Sequence, residues 1–419
     1  MIPLLNLTRL HAPLRDDFQR VFDELLESSR FIDARAVDAF CAAFAAWQNI
    51  PHCIGCANGT EALRIAISAA IGQGDGSREI ITVSHTFIAT AESILASGYR
   101  PVFVDIEPTT GLMNLDRLPP LITESTAAIV PVHLYGQMVD MKRLSAIART
   151  HHIALIEDAA QAHGASRDGV EPGQLSAAAG YSFFPGKNLG AFGDAGAVVT
   201  GVDPVAEAAR LAVDHGRPDR RDGGGKNEHR VFSGNSRMDA LQARILGVKL
   251  PHLDTWNARR RSIAAAYCEA LASVPGVEPL EVAPGSCPVF HQFVVRCRNR
   301  AALRTFLESR GIATGVHYPV PIHRQPAYHA LTLRKGAHPH NRDERTAGVS
   351  AERPSLIETE RLAAEIVSIP VCPTMSDDEV ECVIDALRAF AGNDWAAPPR
   401  PIEPANQALE RSDIPATNV

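Results

Sequence analysis

The chain has 419 residues, of which 45% are hydrophobic and 21% charged, the balance of a globular protein long enough for two or more domains of ordinary size. Its formal net charge is -7 and no long block of like charges occurs, which excludes the footprint of a nucleic-acid binder or a polybasic membrane patch. Any anionic ligand must therefore be held by local groups.

The N-terminus, MIPLLNLTRLHAPLRDD, has a short apolar patch interrupted by Asn6 and Arg9, unlike a secretory leader. No later stretch reaches the roughly 18 uninterrupted apolar residues of a membrane span. A cytoplasmic protein is expected. The cysteines are scattered, and only Cys53 and Cys56 form a C-x-x-C pair. A zinc site would need a second pair or a group of nearby histidines, and a redox pair usually opens a helix after a strand. Cys53 and Cys56 read as structural thiols, with no metal.

From Ala57 to about Val199, short β-branched runs alternate with alanine-rich helical stretches. Strands are predicted at 79–84 (EIITVS), 101–106 (PVFVDI), 127–134 (AAIVPVHL), 153–158 (IALIED), 179–184 (AGYSFF) and 196–200 (GAVVT). Helical patterns lie between several of them, at 59–71 (GTEALRIAISAAI) and 86–98 (TFIATAESILASG). Continuous apolar strands alternating with helices predict a mostly parallel sheet covered on both faces, so the fold class is α/β. A long helix is expected from about Met238, kinked or broken at Pro251. The texture then changes to a strand at 289–297, a glycine-ended helix at 300–311 and a helix at 376–392 with Ser376 as its cap and an acidic first turn. The expected organisation is a large α/β domain over 1–255, a smaller α+β domain over 256–392, an exposed loop at about 331–353 and a disordered, proline-rich tail at 393–419.

Two glycine stretches are poor nucleotide loops. GQGDG (72–76) stands before a strand instead of between strand and helix, and DGGGKN (222–227) has no following Ser or Thr and no preceding strand. The chemistry lies elsewhere. In CANGTEAL (56–63), Asn58, Gly59 and Thr60 sit where a loop opens a helix, either an ordinary cap or a phosphate cradle of free N–H groups at the positive helix end. In ALIEDAAQAHGA, Glu157 and Asp158 end an apolar run at the carboxyl edge of a parallel strand, where α/β proteins bind ligands. A buried carboxylate needs a cationic or hydrogen-bonding partner, and a cofactor's protonated ring nitrogen is one. Lys187, in SFFPGKNLGAFGDAG, is flanked by residues small enough for close approach of a flat ligand. Desolvation there would lower its pKa from about 10.4 and yield the neutral amine that attacks aldehydes.

These motifs, together with HTFIATAESIL, PVFVDIEP, PVHLYGQMVDM, NSRMDALQARIL and HYPVPIH in that order, resemble the DegT/DnrJ/EryC1/StrS family of sugar aminotransferases, of fold type I, over about residues 7–390. The resemblance implies pyridoxal 5'-phosphate as cofactor, with Lys187 as its internal-aldimine lysine and proton carrier and Asp158 paired with the pyridinium nitrogen. It implies that Gln161 lies by the phenolic oxygen, that Phe87 stacks on the ring, and that Gly59, Thr60 and Ser182 hold the phosphate. Asn235 would reach that phosphate from the other subunit of a homodimer. Tyr318 and His323 match a loop near the sugar-nucleotide site, although a histidine between prolines also suits loop packing. Three features depart from the pattern: Phe184 where relatives aminating the 3-position often have Tyr, Asn227 and Ser233 in place of the expected Tyr and Gly, and the long 331–353 loop. The implied reaction moves an amino group from an amino acid, L-glutamate by expectation, to a nucleotide-linked keto sugar. PGKNLGAFGDAG and NSRMD look most like enzymes acting at C3 of 3-keto-6-deoxyhexoses; 4-keto and 3-keto-uronic sugars are the alternatives. A pyridoxal-dependent sugar dehydratase shares the fold, but that chemistry goes with loss of the lysine present here as Lys187.

Overall fold

A seven-stranded sheet organises the chain in a computed structural model that describes residues 1–218, 227–328 and 355–390. The expected loop at 331–353 and tail at 393–419 lie outside the described residues. Three helices precede the sheet: α1 (Leu7–His11), α2 (Arg15–Ser28) and α3 (Ala34–Trp47). The sheet is then built in chain order from β1 (His52–Cys56), β2 (Glu79–Val83), β3 (Arg100–Val104), β4 (Thr126–Ile129), β5 (Ala154–Asp158), β7 (Ala178–Ser182) and β8 (Gly196–Thr200), with the short β6 (Ser166–Arg167) outside it. Helices α4 (Gly59–Ile71), α5 (Ala89–Ala96), α6 (Met141–Thr150) and α7 (Asp203–Val213) connect or cover these strands.

The spatial order is β1-β8-β7-β5-β4-β2-β3. β8 runs antiparallel to both its neighbours, and the remaining pairs are parallel. The mostly parallel α/β sheet predicted from the apolar runs is therefore present. α4 begins where Asn58 caps it, its side chain accepting the Glu61 N–H at 2.9 Å, and it buries Ala62, Leu63, Ile65, Ala66 and Ile67 against β7 and β8. Each leucine or isoleucine side chain so removed from water contributes roughly 1.5–3 kcal/mol.

After the sheet come α8 (Ala240–Lys249) and α9 (Leu253–Leu271), separated by a 3-10 turn at Leu250–His252 that contains Pro251. The ring of Pro251 has no N–H to offer a continuous helix, which gives the expected break. α9 runs between two cores: Leu253 belongs to the sheet's core, whereas Ile263 and Tyr267 pack in a second cluster. The expected division at 255/256 thus falls inside one unbroken helix. That second cluster covers a three-stranded sheet of β9 (Glu278–Pro279), β11 (Phe293–Arg296) and β12 (Ile366–Ile369). It is flanked by α10 (Arg300–Ser309), while β10 (Ser286–Cys287) pairs with β6. The helix Asp377–Ala389 starts with a reciprocal Ser376–Glu379 capping box, matching its sequence signature.

All eight cysteines are free thiols. Among the described residues, no group of His, Cys, Asp or Glu side chains could hold a metal ion, and no helix is long and apolar enough to cross a membrane.

Candidate active site

β5 delivers both acids, and strand alternation separates them. Glu157 points into the interior and is fully buried. Its Oε1 accepts from the Gly173 N–H at 2.8 Å and the Ser176 hydroxyl at 2.5 Å, and its Oε2 lies 2.6 Å from His133 Nε2. His133 Nδ1 already accepts the Val139 N–H at 3.2 Å, so the proton sits on Nε2 and is donated to Glu157. Three donors make this carboxylate a structural anchor at the end of β5.

Asp158 turns the other way. Its Oδ2 accepts from the Thr90 hydroxyl at 2.7 Å and its Oδ1 from the Ala160 N–H at 3.2 Å. Thr90 gives its proton to the acid, so Thr86, 3.1 Å away, donates to Thr90. This two-hydroxyl relay leads from the start of α5 to the carboxylate.

Lys187 follows β7 in a turn closed by its own N–H donating to the Phe184 carbonyl at 2.8 Å. Burial lowers its amine from 10.5 to about 8, against the opposing pull of the Asp158 carboxylate. The neighbouring imidazoles of His163, His291 and His317 are all held neutral, first by burial and then by the Lys187 charge. The next residue, Asn188, is locked: its Nδ2 donates to Asn257 Oδ1 at 2.9 Å and to the Val289 carbonyl at 3.1 Å, so its Oδ1 faces His291 Nδ1 at 3.1 Å.

Across β7, the N-terminus of α4 meets Ser182. A Cβ added at Gly59 would stand 2.5 Å from Ser182 Cβ and 2.8 Å from its hydroxyl, so glycine alone lets the helix end approach that side chain. The first N–H groups of a helix have no partner within it, and with Thr60 and Ser182 they make a cradle suited to a phosphate. Gln161 is oriented by two contacts, its Oε1 accepting the Tyr135 N–H at 2.6 Å and its Nε2 lying 3.3 Å from the Tyr318 hydroxyl. Phe87 is 53% exposed, and its ring lies 5.6 Å from that of Tyr318 at a 40° tilt. An anion cradle, an ungrouped amine, a hydroxyl-supported carboxylate and an open aromatic face together fit a flat, phosphorylated cofactor with a basic ring nitrogen.

The structure brings Lys187, Asp158, Gln161, Gly59, Thr60, Ser182, Phe87 and Tyr318 to the carboxyl edge of the sheet. Phe184 is 42% exposed beside them. Asn235 stands apart on an exposed segment, bridged to Asp214, with Ser236 donating to Glu61 at 2.9 Å. His323 is engaged through both nitrogens, Nδ1 with the Ser84 hydroxyl at 2.7 Å and Nε2 with Glu360 at 3.0 Å. Of its two sequence readings, this engagement favours loop packing. Thr90, Tyr135 and His85 were not singled out by the sequence; the one local signal was the Thr86–Thr90 spacing of one helical turn within HTFIAT.

Fold and site together define a pyridoxal-phosphate-dependent transferase with the acid at the end of one strand and the amine in the turn after its neighbour. The profile of the DegT/DnrJ/EryC1/StrS aminotransferase family matches residues 13–388, and the chain belongs to that family. It is 42% identical over 393 residues to a "pleiotropic regulatory protein" of Geobacillus stearothermophilus, covering 93% of this chain and 98% of that protein. It is 39% identical to the dTDP-3-amino-3,4,6-trideoxy-alpha-D-glucose transaminase of Streptomyces venezuelae, covering 93% and 96%. Among solved structures, S. venezuelae DesV in complex with a ketimine intermediate superimposes with a TM-score of 0.83 at 38% identity, covering 93% of this chain and 98% of that one. The protein is an aminotransferase, and its cofactor is pyridoxal 5'-phosphate.

Proposed function

We propose that this aminotransferase moves the amino group of an amino acid, L-glutamate by preference, to C3 of a nucleotide-linked 3-keto-6-deoxyhexose, as a cytoplasmic homodimer. The observation that carries the reading is a desolvated Lys187 amine, lowered to about 8, opposite a hydroxyl-supported Asp158 in a chain 39% identical to a named 3-amino-sugar transaminase. When bound, pyridoxal phosphate supplies an electron sink for the carbon attached to the migrating nitrogen. Lys187 Nζ would hold the cofactor and, as a base of lowered pKa, would carry the proton that the reaction moves. Asp158, fixed by Thr90, would keep a basic ring nitrogen protonated. Gly59, Thr60 and Ser182 would hold the phosphate, Gln161 would serve the phenolic oxygen, and Phe87 would stack on the ring.

Asn235 reaches the phosphate of the other subunit. Supporting this, apolar side chains of α2 and the following turn (Phe22, Leu26, Phe31, Ile32) and of the segment just before Asn235 (Val231, Phe232) are exposed in the single chain, as an unpaired subunit face would be. Eight unpaired thiols suit a reducing compartment. Tyr318 and Phe184 border the acceptor's path.

The test is product mass spectrometry after incubation of the holoenzyme with L-glutamate and a panel of dTDP- and UDP-linked 3-keto, 4-keto and 3-keto-uronic sugars. The expected result is an amino sugar from the 3-keto-6-deoxyhexose, absent with Lys187→Ala. Turnover of a 4-keto or uronic sugar in its place would overturn the assignment of C3.

A further inference from the structure

The motif PVHLYGQMVDM contains one residue that the roles above leave unused. Tyr135, 6% exposed, sits in a short turn between β4 and α6 with φ 60° and ψ 6°, a left-handed conformation that is uncommon and costly for a bulky residue. Its neighbour Gly136 (φ 91°) could not carry a side chain: a Cβ there would lie 2.7 Å from Val289 Cγ2 and 3.0 Å from the Gln161 carbonyl oxygen. The surrounding structure thus holds the Tyr-Gly pair tightly, as backbone strain requires.

From that position, Tyr135 makes three directed contacts. Its N–H donates to Gln161 Oε1 at 2.6 Å. Its hydroxyl, kept protonated by burial, donates to the His317 carbonyl. Having given its proton there, the hydroxyl accepts from His85 Nε2 at 2.7 Å. His85 is buried and neutral, lowered to about 4, so a single ring proton sits on Nε2. The circuit closes through Tyr318, next to His317, whose hydroxyl meets Gln161 Nε2 at 3.3 Å.

We propose that Tyr135 is a positioning residue that clamps the 313–323 segment over the cofactor cleft, so that Gln161 and Tyr318 are set together for the acceptor sugar. The segment is also fastened at Gly315, which pairs with Ser368 in both directions at 3.0 and 2.8 Å, at His317, whose Nδ1 lies 2.8 Å from Ser368 Oγ, and at Ile322, whose N–H donates to the Ser84 carbonyl at 3.0 Å. The Tyr135 hydroxyl adds the tie to the His317 backbone, on the residue preceding Tyr318. Because the segment carries Tyr318 against Phe87, its slack would be felt by whatever enters over the ring. The inference rests on the proposed sugar acceptor for its kinetic consequence, while the clamp itself does not.

Tyr135→Phe in the full-length holoenzyme removes the hydroxyl and leaves the N–H contact with Gln161. The expected result is a rise of about tenfold in KM for the keto sugar, in keeping with loss of one buried hydrogen bond. The half-reaction with L-glutamate alone and the cofactor dissociation constant should stay within about twofold. Backbone amide exchange across 313–323, measured by mass spectrometry, should accelerate in the variant. His85→Phe, which removes the donor to the hydroxyl but keeps the hydroxyl, should give smaller effects in the same direction. Equal losses in both half-reactions would reduce Tyr135 to a general structural role and overturn the proposal, as would unchanged exchange across 313–323. If the wild-type enzyme accepts none of the keto sugars, the function reading fails; the exchange measurement still decides the clamp.

Discussion

Lys249 offers the sharpest test of how burial sets protonation in this fold. Its amine is 1% exposed, donates to the Gly190 carbonyl at 2.5 Å, and lies 5.0 Å from the centre of the Phe192 ring. Burial lowers its pKa from 10.5 to about 7. For a base whose pKa falls on folding, the folded state disfavours the charged form. The penalty is therefore fully present below about pH 7 and shrinks as pH rises toward 10.5, above which the amine is neutral in both states. At about 1.4 kcal/mol per pH unit, the difference between 10.5 and about 7 is worth about 5 kcal/mol. Cation–π attraction to Phe192 returns about 1–2 kcal/mol of that. Lys249→Met fills a similar volume and removes the penalty, but it leaves the Gly190 carbonyl without its donor, at about 1–3 kcal/mol. The variant should thus be more stable than wild type by about 1–2 kcal/mol at pH 6 and less stable by about 1–3 kcal/mol near pH 10.5. The assay is urea denaturation of the cofactor-free proteins across that range, followed by fluorescence. The two stability curves should cross. A difference that does not vary with pH would refute the reasoning, and so would a wild type that is the more stable protein at pH 6.

Other consequences can be checked separately. Thr90→Val keeps the shape of the side chain but deletes the hydroxyl that donates to Asp158 at 2.7 Å. Cofactor affinity should fall about ten- to hundredfold, as for loss of a hydrogen bond to a charged group, and Thr90→Ser should restore most of it; equal affinities in equilibrium dialysis would remove Thr90 from the site. Asn235→Ala should weaken cofactor retention in the dimer by about tenfold while leaving the thermal midpoint of the cofactor-free protein nearly unchanged, because the side chain is exposed in the single chain. Identical cofactor dissociation constants for variant and wild type would count against the contact across subunits.

Much of the architecture is legible in the sequence because parallel strands buried on both faces are written as continuous apolar runs. β5, β7 and β8 lie almost where those runs lie. β1 is not legible. HCIGC has two cysteines and a glycine where a strand signal wants β-branched residues, and the segment is a strand because β8 and α3 pack against it. The predicted strand at 127–134 closes early, at Ile129, since the chain must leave the ladder to form the turn at Tyr135. In the site, residue types point to a lysine and a pair of acids, and the resemblance singles out Asp158; direction along β5 gives the physical reason, sending Glu157 to His133 and Asp158 to Thr90. Thr90 and Tyr135 escape for a different reason. Their partners lie 68 and 182 residues away, and no local spacing encodes such a contact.

The two buried lysines show what a lowered pKa does and does not say. Lys187 and Lys249 are both pushed down by burial, to about 8 and about 7; by that measure Lys249 is the better nucleophile. Yet the Lys249 amine is bound to the Gly190 carbonyl and sealed between that turn and Phe192, with no path to a ligand. Lys187 is partly accessible and has Asp158 acting on it from the end of the neighbouring strand β5. Desolvation lowers the pKa of both amines, but access to a ligand is what separates them. Both lysines also bear on one turn, Lys187 as a member of it and Lys249 as a prop beneath Gly190. Stiffness of the 184–192 turn, and with it the aim of the Lys187 amine, should therefore follow the protonation of Lys249: the charged form grips the Gly190 carbonyl more strongly than the neutral one.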